Sequence, residues 1–124
     1  MLVKPIVVLT TAGTQQQANR LAEELVDRRQ AACVNIIPIQ RSVYRWQGQV
    51  CDDSEFLLLI KSTDTEWDAV QETVRELHEY DLPELLAFDV AHGEARFLEW
   101  MLDSIGNKGE RPVLKAVPDA APEG

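Results

Sequence analysis

The alternation of apolar and polar positions changes period several times along the chain, and each change marks an element. Val3 to Thr10 is β-branched and apolar with few polar breaks, which predicts a central strand covered on both faces. Thr11-Ala12-Gly13 reads as a turn. Thr14, with Gln17 three residues on, has the capping-box pattern, and Ala18, Leu21, Ala22, Leu25 and Val26 then recur at helical spacing. Arg28 and Arg29 follow, where the helix dipole favours positive charge.

Ala31 to Trp46 is rich in Val, Ile, Tyr and Trp, Gln47-Gly48 interrupts it, and Gln49 to Ser62 returns with the apolar run Phe56 to Ile60. This is the pattern of one long hairpin turning at Gln47-Gly48. Pro38 has no amide hydrogen for a ladder, so a bulge or an edge position is expected there. Thr63 and Glu66 repeat the capping-box spacing, and Trp67, Val70, Val74 and Leu77 form a second helical stripe. Pro83 closes that region. Leu85 to Val90 reads as a short strand, His92-Gly93 as a turn, and Glu94 to Ile105 as a last helix with Phe97, Leu98, Met101, Leu102 and Ile105 inward. Gly106 suits the position after a helix end.

The order β-α-β-β-α-β-α is that of an α+β ferredoxin-like sandwich with an added C-terminal helix. Residues 1–106 form a single domain. Residues 107–124 hold three of the six prolines and read as a flexible tail, with Val113 to Val117 the stretch able to dock.

A strand of about 14 residues is ~47 Å long, while a 100-residue domain has a radius of gyration near ~13 Å. The hairpin therefore projects beyond its domain, carrying Val43, Tyr44 and Trp46 on unpaired edges. Bare edges and aromatics call for a cover, and another copy of the chain supplies it. Charge supports self-association. The net charge is −9, yet residues 1–51 carry six basic and three acidic groups, and residues 52–106 three basic and fifteen acidic. Complementary halves suit a head-to-tail ring. The same acidic balance argues against a nucleic-acid partner. No apolar run of about 18 residues exists for a membrane span, and the N-terminus lacks a signal-peptide pattern, which places the protein in the cytoplasm.

Cys33 and Cys51 cannot form an intrachain bridge on this reading. Cys51 falls opposite Tyr44, and Cys33 lies eleven residues further along the strand, well beyond the ~7 Å limit between Cα atoms. Cys33 reads as a buried, inert thiol and Cys51 as the better soft-metal ligand. Lys61 closes an apolar run and needs a carboxylate partner, for which Glu84 is nearest by topology. Asp52, Asp53 and Glu55 lie close in sequence. They read first as a solvated cluster and second as oxygen ligands for a hard cation. His78, after the second stripe, suits a helix C-terminus, a metal or a polar site, and His92 reads as a loop histidine. No Gly-rich phosphate loop, H-E-x-x-H, C-x-x-C or G-x-S-x-G is present, which lowers the case for an enzyme.

Several strings carry a family resemblance: Ala31-Ala32-Cys33-Val34-Asn35, Ser42-Val43-Tyr44-Arg45-Trp46-Gln47-Gly48 and His78-Glu79-Tyr80-Asp81-Leu82-Pro83-Glu84, with Glu55 to Lys61 and Phe97-Leu98-Glu99-Trp100. From about Pro5 to Ile105 the chain resembles the CutA family of divalent-cation tolerance proteins. The resemblance implies a ferredoxin-like subunit in a compact homotrimer whose hairpins wrap adjacent subunits. It also implies a non-enzymatic role in tolerance of copper and other divalent metals. Some bacterial members are credited with a copper site made by a cysteine and two adjacent histidines; the matching positions here read Thr10, Leu77 and His78, so only one of the three is retained. The trimer also resembles nitrogen-regulatory signalling trimers, which bind effectors between subunits. The expected metal ligands are therefore His78 and Cys51. The expected inter-subunit pocket holds Tyr44, Trp46, Glu55, Lys61, Tyr80 and Glu84, and would take a small anionic or zwitterionic ligand or a carboxylate-bound divalent cation.

Overall fold

Hydrogen-bond pairing sorts the strands into one four-stranded antiparallel sheet and one short parallel pair. The computed structural model describes residues 2–106 and 113–114. In chain order the elements are β1 (Leu2–Val3), β2 (Pro5–Ala12), α1 (Gln15–Asp27), β3 (Cys33–Trp46), β4 (Gln49–Thr63), a 3-10 turn (Asp64–Glu66), α2 (Trp67–Leu77), β5 (Leu86–Asp89), α3 (Ala95–Ser104) and β6 (Val113–Leu114). The sheet runs β3-β4-β2-β5. β6 pairs in parallel with β1, so Val113 and Leu114 dock beside the N-terminus; the rest of the expected tail lies outside the described residues.

The first strand differs from its expectation at both ends. Lys4 separates β1 from β2 because its backbone pairs with Asp64: Lys4 N–H donates to Asp64 Oδ1, and Asp64 N–H donates to Lys4 O. β2 then runs on to Ala12, paired with Phe56, so the expected turn at Thr11-Ala12-Gly13 starts later. Only one face of β2 is fully covered. Ile6, Val8 and Ala12 pack with Leu58 and Ile60 under Leu21 and Leu25 of α1 and Val70 and Val74 of α2. The opposite face carries Val7, Leu9, Leu57 and Leu59, half-buried, with Leu86 and Phe88 each 51% exposed.

The capping boxes are half realised. Thr14 Oγ1 accepts the amide of Gln17, but the Gln17 side chain turns into the protein instead of back to the cap. Thr63 caps nothing; its hydroxyl bonds Thr65, because a 3-10 turn precedes α2. Arg29 has φ +58 and reaches across to the end of α3, donating to the carbonyls of Gly106 (2.6 Å) and Asp103 (2.9 Å). A cation there meets the negative end of the α3 dipole rather than that of its own helix.

The hairpin turns where the sequence places it. Trp46 pairs with Gln49, and Gln47 and Gly48 both have positive φ (50° and 78°), as a two-residue I′ turn requires. The bulge is displaced from Pro38. Pro38 pairs with Phe56 on the outer strand of the sheet, and the register slips between Ile39 and Ser42, where two residues oppose Ser54. The edge position alone accommodates the missing donor. Leu98 and Met101 of α3, with Ile105 just after it, pack on Ala32, but Phe97 is 44% exposed and sits with Lys61 instead of in the core.

Candidate functional site

β3, β4 and the segment after α2 enclose a cavity of about 610 Å³ at one end of the sheet. Its wall brings together Tyr44 and Trp46 from β3, Glu55 from β4, and Tyr80, Asp81 and Glu84 from the 78–84 segment. A bulge between Ile39 and Ser42 interrupts the β3–β4 register between the domain and the hairpin end. Of the expected pocket, Tyr44, Trp46, Glu55, Tyr80 and Glu84 thus lie together within one chain. Lys61 does not. It is six residues from Glu55 along β4, roughly 20 Å of strand, and its Nζ lies 6.0 Å from the Phe97 ring centroid. Lys61 and Glu84 make no ion pair among the described residues.

Glu55 is the most enclosed of the cavity's charged groups, at 9% exposure. Its Oε2 accepts the Tyr80 hydroxyl at 2.8 Å. Burial, then Glu55, pushes the Tyr80 phenol upward, so it is a fixed donor at neutral pH. Tyr44 donates to Asp53, which with the surrounding carboxylates pushes its phenol up to about 12. Tyr80 fits closely because residue 13 is glycine: a Cβ there would meet the Tyr80 oxygen at 2.8 Å.

The Tyr80 segment is held by two side chains. The Tyr80 amide donates to His78 Nδ1 at 3.0 Å, which makes Nδ1 the unprotonated nitrogen. Nε2 then carries the hydrogen and donates to Thr11 O at 2.6 Å. Gln17 is 4% exposed; its amide donates to Leu77 O (3.2 Å) and its carbonyl accepts the Glu79 amide (2.7 Å). His78 and Gln17 therefore clamp the end of α2 onto β2 and α1.

This geometry bears on the expected metal ligands. Both ring nitrogens of His78 are engaged with the backbone, so no lone pair is left for a metal. Thr10 and Leu77 offer no soft donor, and among the described residues no three His, Cys, Asp or Glu side chains converge on one ion. The copper triad named by the resemblance does not fit this subunit. Cys51 is half-buried beside Tyr44, and Cys33 is also half-buried; both are free thiols. The acidic stretch in β4 does not act as a unit: Asp52 pairs with Arg41 at 2.5 Å, while Asp53 and Glu55 take the two phenols.

Sequence reasoning missed Gln17, Gly13, Thr11 and Asp81. Gln17 already had a role as a capping residue, and nothing in its local pattern signals a contact 60 positions away.

Comparison with known proteins places these features in a family. A family model described as CutA1 divalent ion tolerance protein matches residues 6–104. A divalent-cation tolerance protein CutA of Thermus thermophilus is 43% identical over 100 residues, covering 81% of this chain and 97% of that protein. A chloroplastic CutA protein of Arabidopsis thaliana is 41% identical over 105 residues; the alignment takes in 85% of this chain and 58% of the longer plant protein. The crystal structure of CutA1 from Oryza sativa superposes with a TM-score of 0.81 at 40% identity, covering 85% of this chain and 96% of that one. With a family match spanning nearly the whole described domain, this chain belongs to the CutA1 divalent ion tolerance family.

Proposed function

We propose that the chain acts as a homotrimer of ferredoxin-like subunits in the tolerance of divalent cations such as copper, without catalysing a reaction. The observation that carries the assembly is the sheet face opposite α1 and α2. Val7, Leu9, Leu57, Leu59, Leu86 and Phe88 form an apolar surface that no helix among the described residues fully covers. A patch of that kind on a soluble protein marks an association surface. β3 adds an unpaired outer edge, and Val43, Trp46 and Val50 are exposed at the hairpin end. The β3-β4-β2-β5 order supports the ferredoxin-like description. Among the described residues no helix is long and apolar enough to cross a membrane, and a cytoplasmic site of action is part of the proposal. Direct metal binding on this reading needs ligands from more than one subunit, with Cys51 the soft donor and His78 available only if it gives up its backbone bonds.

Native mass spectrometry tests the assembly. Three chains are expected for the wild type, and Phe88→Glu should shift the population to single chains. A wild-type monomer at micromolar concentration refutes it. Calorimetric titration with Cu²⁺ and Zn²⁺ tests direct binding, which Cys51→Ser should weaken; affinity weaker than roughly millimolar removes that form of the reading.

A second reading, an effector-binding trimer, is favoured by one observation. The cavity around Glu55 is already formed, of a size usual for small ligands, and lined by aromatic rings and several polar groups.

A further inference from the structure

Among the described residues, the cavity's lining combines three carboxylates, Glu55, Asp81 and Glu84, with three aromatic rings, Tyr44, Trp46 and Tyr80, and no lysine or arginine. Glu55 spends only one oxygen. Oε2 holds Tyr80; Oε1 has no partner among the described residues, and it is not among the sealed, unsatisfied polar atoms, so it keeps accessible surface on a residue that lines the cavity. Glu55 is only 9% exposed, and among the described residues no cation lies beside it, so a positive group in the cavity would offset the cost of holding its charge away from water. Asp53 adds to the negative charge near the cavity: it accepts the Tyr44 hydroxyl and is the first cause of that phenol's upward shift.

The cation this wall fits is not a bare metal ion. No three carboxylates converge on one point among the described residues, so a divalent ion would lack its ligand shell. The charges are spread around a space that is partly apolar, with Val43 and Leu82 also in the wall. Aromatic faces attract weakly hydrated cations, which a carboxylate counter-ion reinforces.

We propose that the cavity binds a small organic ammonium ion, with Glu55 as its counter-ion and Tyr44, Trp46 and Tyr80 as its aromatic wall. This rests on the effector-binding reading and names the class of effector. The ammonium group displaces no hydrogen bond of the free protein, because the open Glu55 oxygen is the one it takes.

The test is calorimetric titration of the full-length protein at constant ionic strength with tetramethylammonium chloride, butylammonium chloride, tert-butanol and sodium butyrate. At least one of the two ammonium ions is expected to bind about tenfold or more tightly than tert-butanol, a near-isostere without charge. Glu55→Gln should lower that affinity about tenfold, and Trp46→Leu by roughly 2- to 30-fold, both with unchanged circular dichroism and subunit number. Equal binding of tert-butanol, tighter binding of butyrate, or ammonium affinity unchanged in Glu55→Gln overturns the ammonium assignment while leaving a small-ligand pocket standing. If no probe binds by about 10 mM, both fall. Binding of ammonium that appears only in Lys61→Met also overturns the proposal, because it shows that the lysine of a second copy is the resident cation.

Discussion

Replacing Gln17 by alanine removes a clamp that is invisible in the local sequence, and the cost follows from the structure. The side chain is 4% exposed and makes two hydrogen bonds to backbone groups at the end of α2. One, to the Glu79 amide, is short at 2.7 Å; the other, to Leu77 O, is longer at 3.2 Å. Losing a buried partner costs about 1–3 kcal/mol for each group left unsatisfied, with the longer bond at the low end. Alanine recovers a few tenths of a kcal/mol in helix propensity. The net expectation is a loss of about 2–3 kcal/mol. In urea this is a midpoint shift of roughly 1–2 M at an m-value of ~1.5 kcal/mol/M, measured at fixed chain concentration because assembly contributes to apparent stability. Gln17→Glu should do no better. It keeps an acceptor for Glu79, cannot donate to Leu77 O, and buries a charge. The exposed neighbour gives the control: Gln16→Ala should stay within about 0.5 kcal/mol. A Gln17→Ala loss below about 0.5 kcal/mol at unchanged m-value would refute the clamp.

Alkaline titration followed by tyrosinate absorbance should show Tyr44 ionising near 12, and Asp53→Asn should return it toward its ordinary value of 10. Because the folded value lies above the unfolded one, the Tyr44–Asp53 contribution to stability is intact below about pH 10 and fades as pH rises toward 12. Leu58→Ala, at a fully buried core position, should cost about 2–5 kcal/mol in the same urea assay; a cost near 1 kcal/mol would mean the core collapses around the gap. Gly48→Ala should cost about 1–2 kcal/mol, purely through backbone conformation, since φ is +78° and nothing lies within 4 Å of the new Cβ. Gly48→Asn should recover most of that loss.

The sequence alone determined the order and type of the main elements, because period and turn chemistry are local properties. The Gln47-Gly48 turn was legible since only a few residue pairs tolerate two successive positive φ values, and that turn fixed Cys51 against Tyr44. The unusual length of the hairpin was equally plain, and five of the six residues expected in a pocket between subunits line one cavity within the chain. Tertiary structure decided what each polar group is paired with. Arg29 caps α3 and not its own helix, Lys61 lies by Phe97 and not by Glu84, and Phe97 leaves the core. His78 reads in sequence as a helix-end residue, a metal ligand or a polar site residue, and in three dimensions both its nitrogens are taken by backbone. These outcomes depend on contacts between positions 60 or more apart in several cases. Propensity and spacing carry no information about such partners, because hydrogen bonds and charge pairs are set by where the packed elements meet. The same holds for the cavity itself: its residue types were visible along the chain, but an open oxygen on a buried Glu55 exists only once β3, β4 and the Tyr80 segment have closed around it.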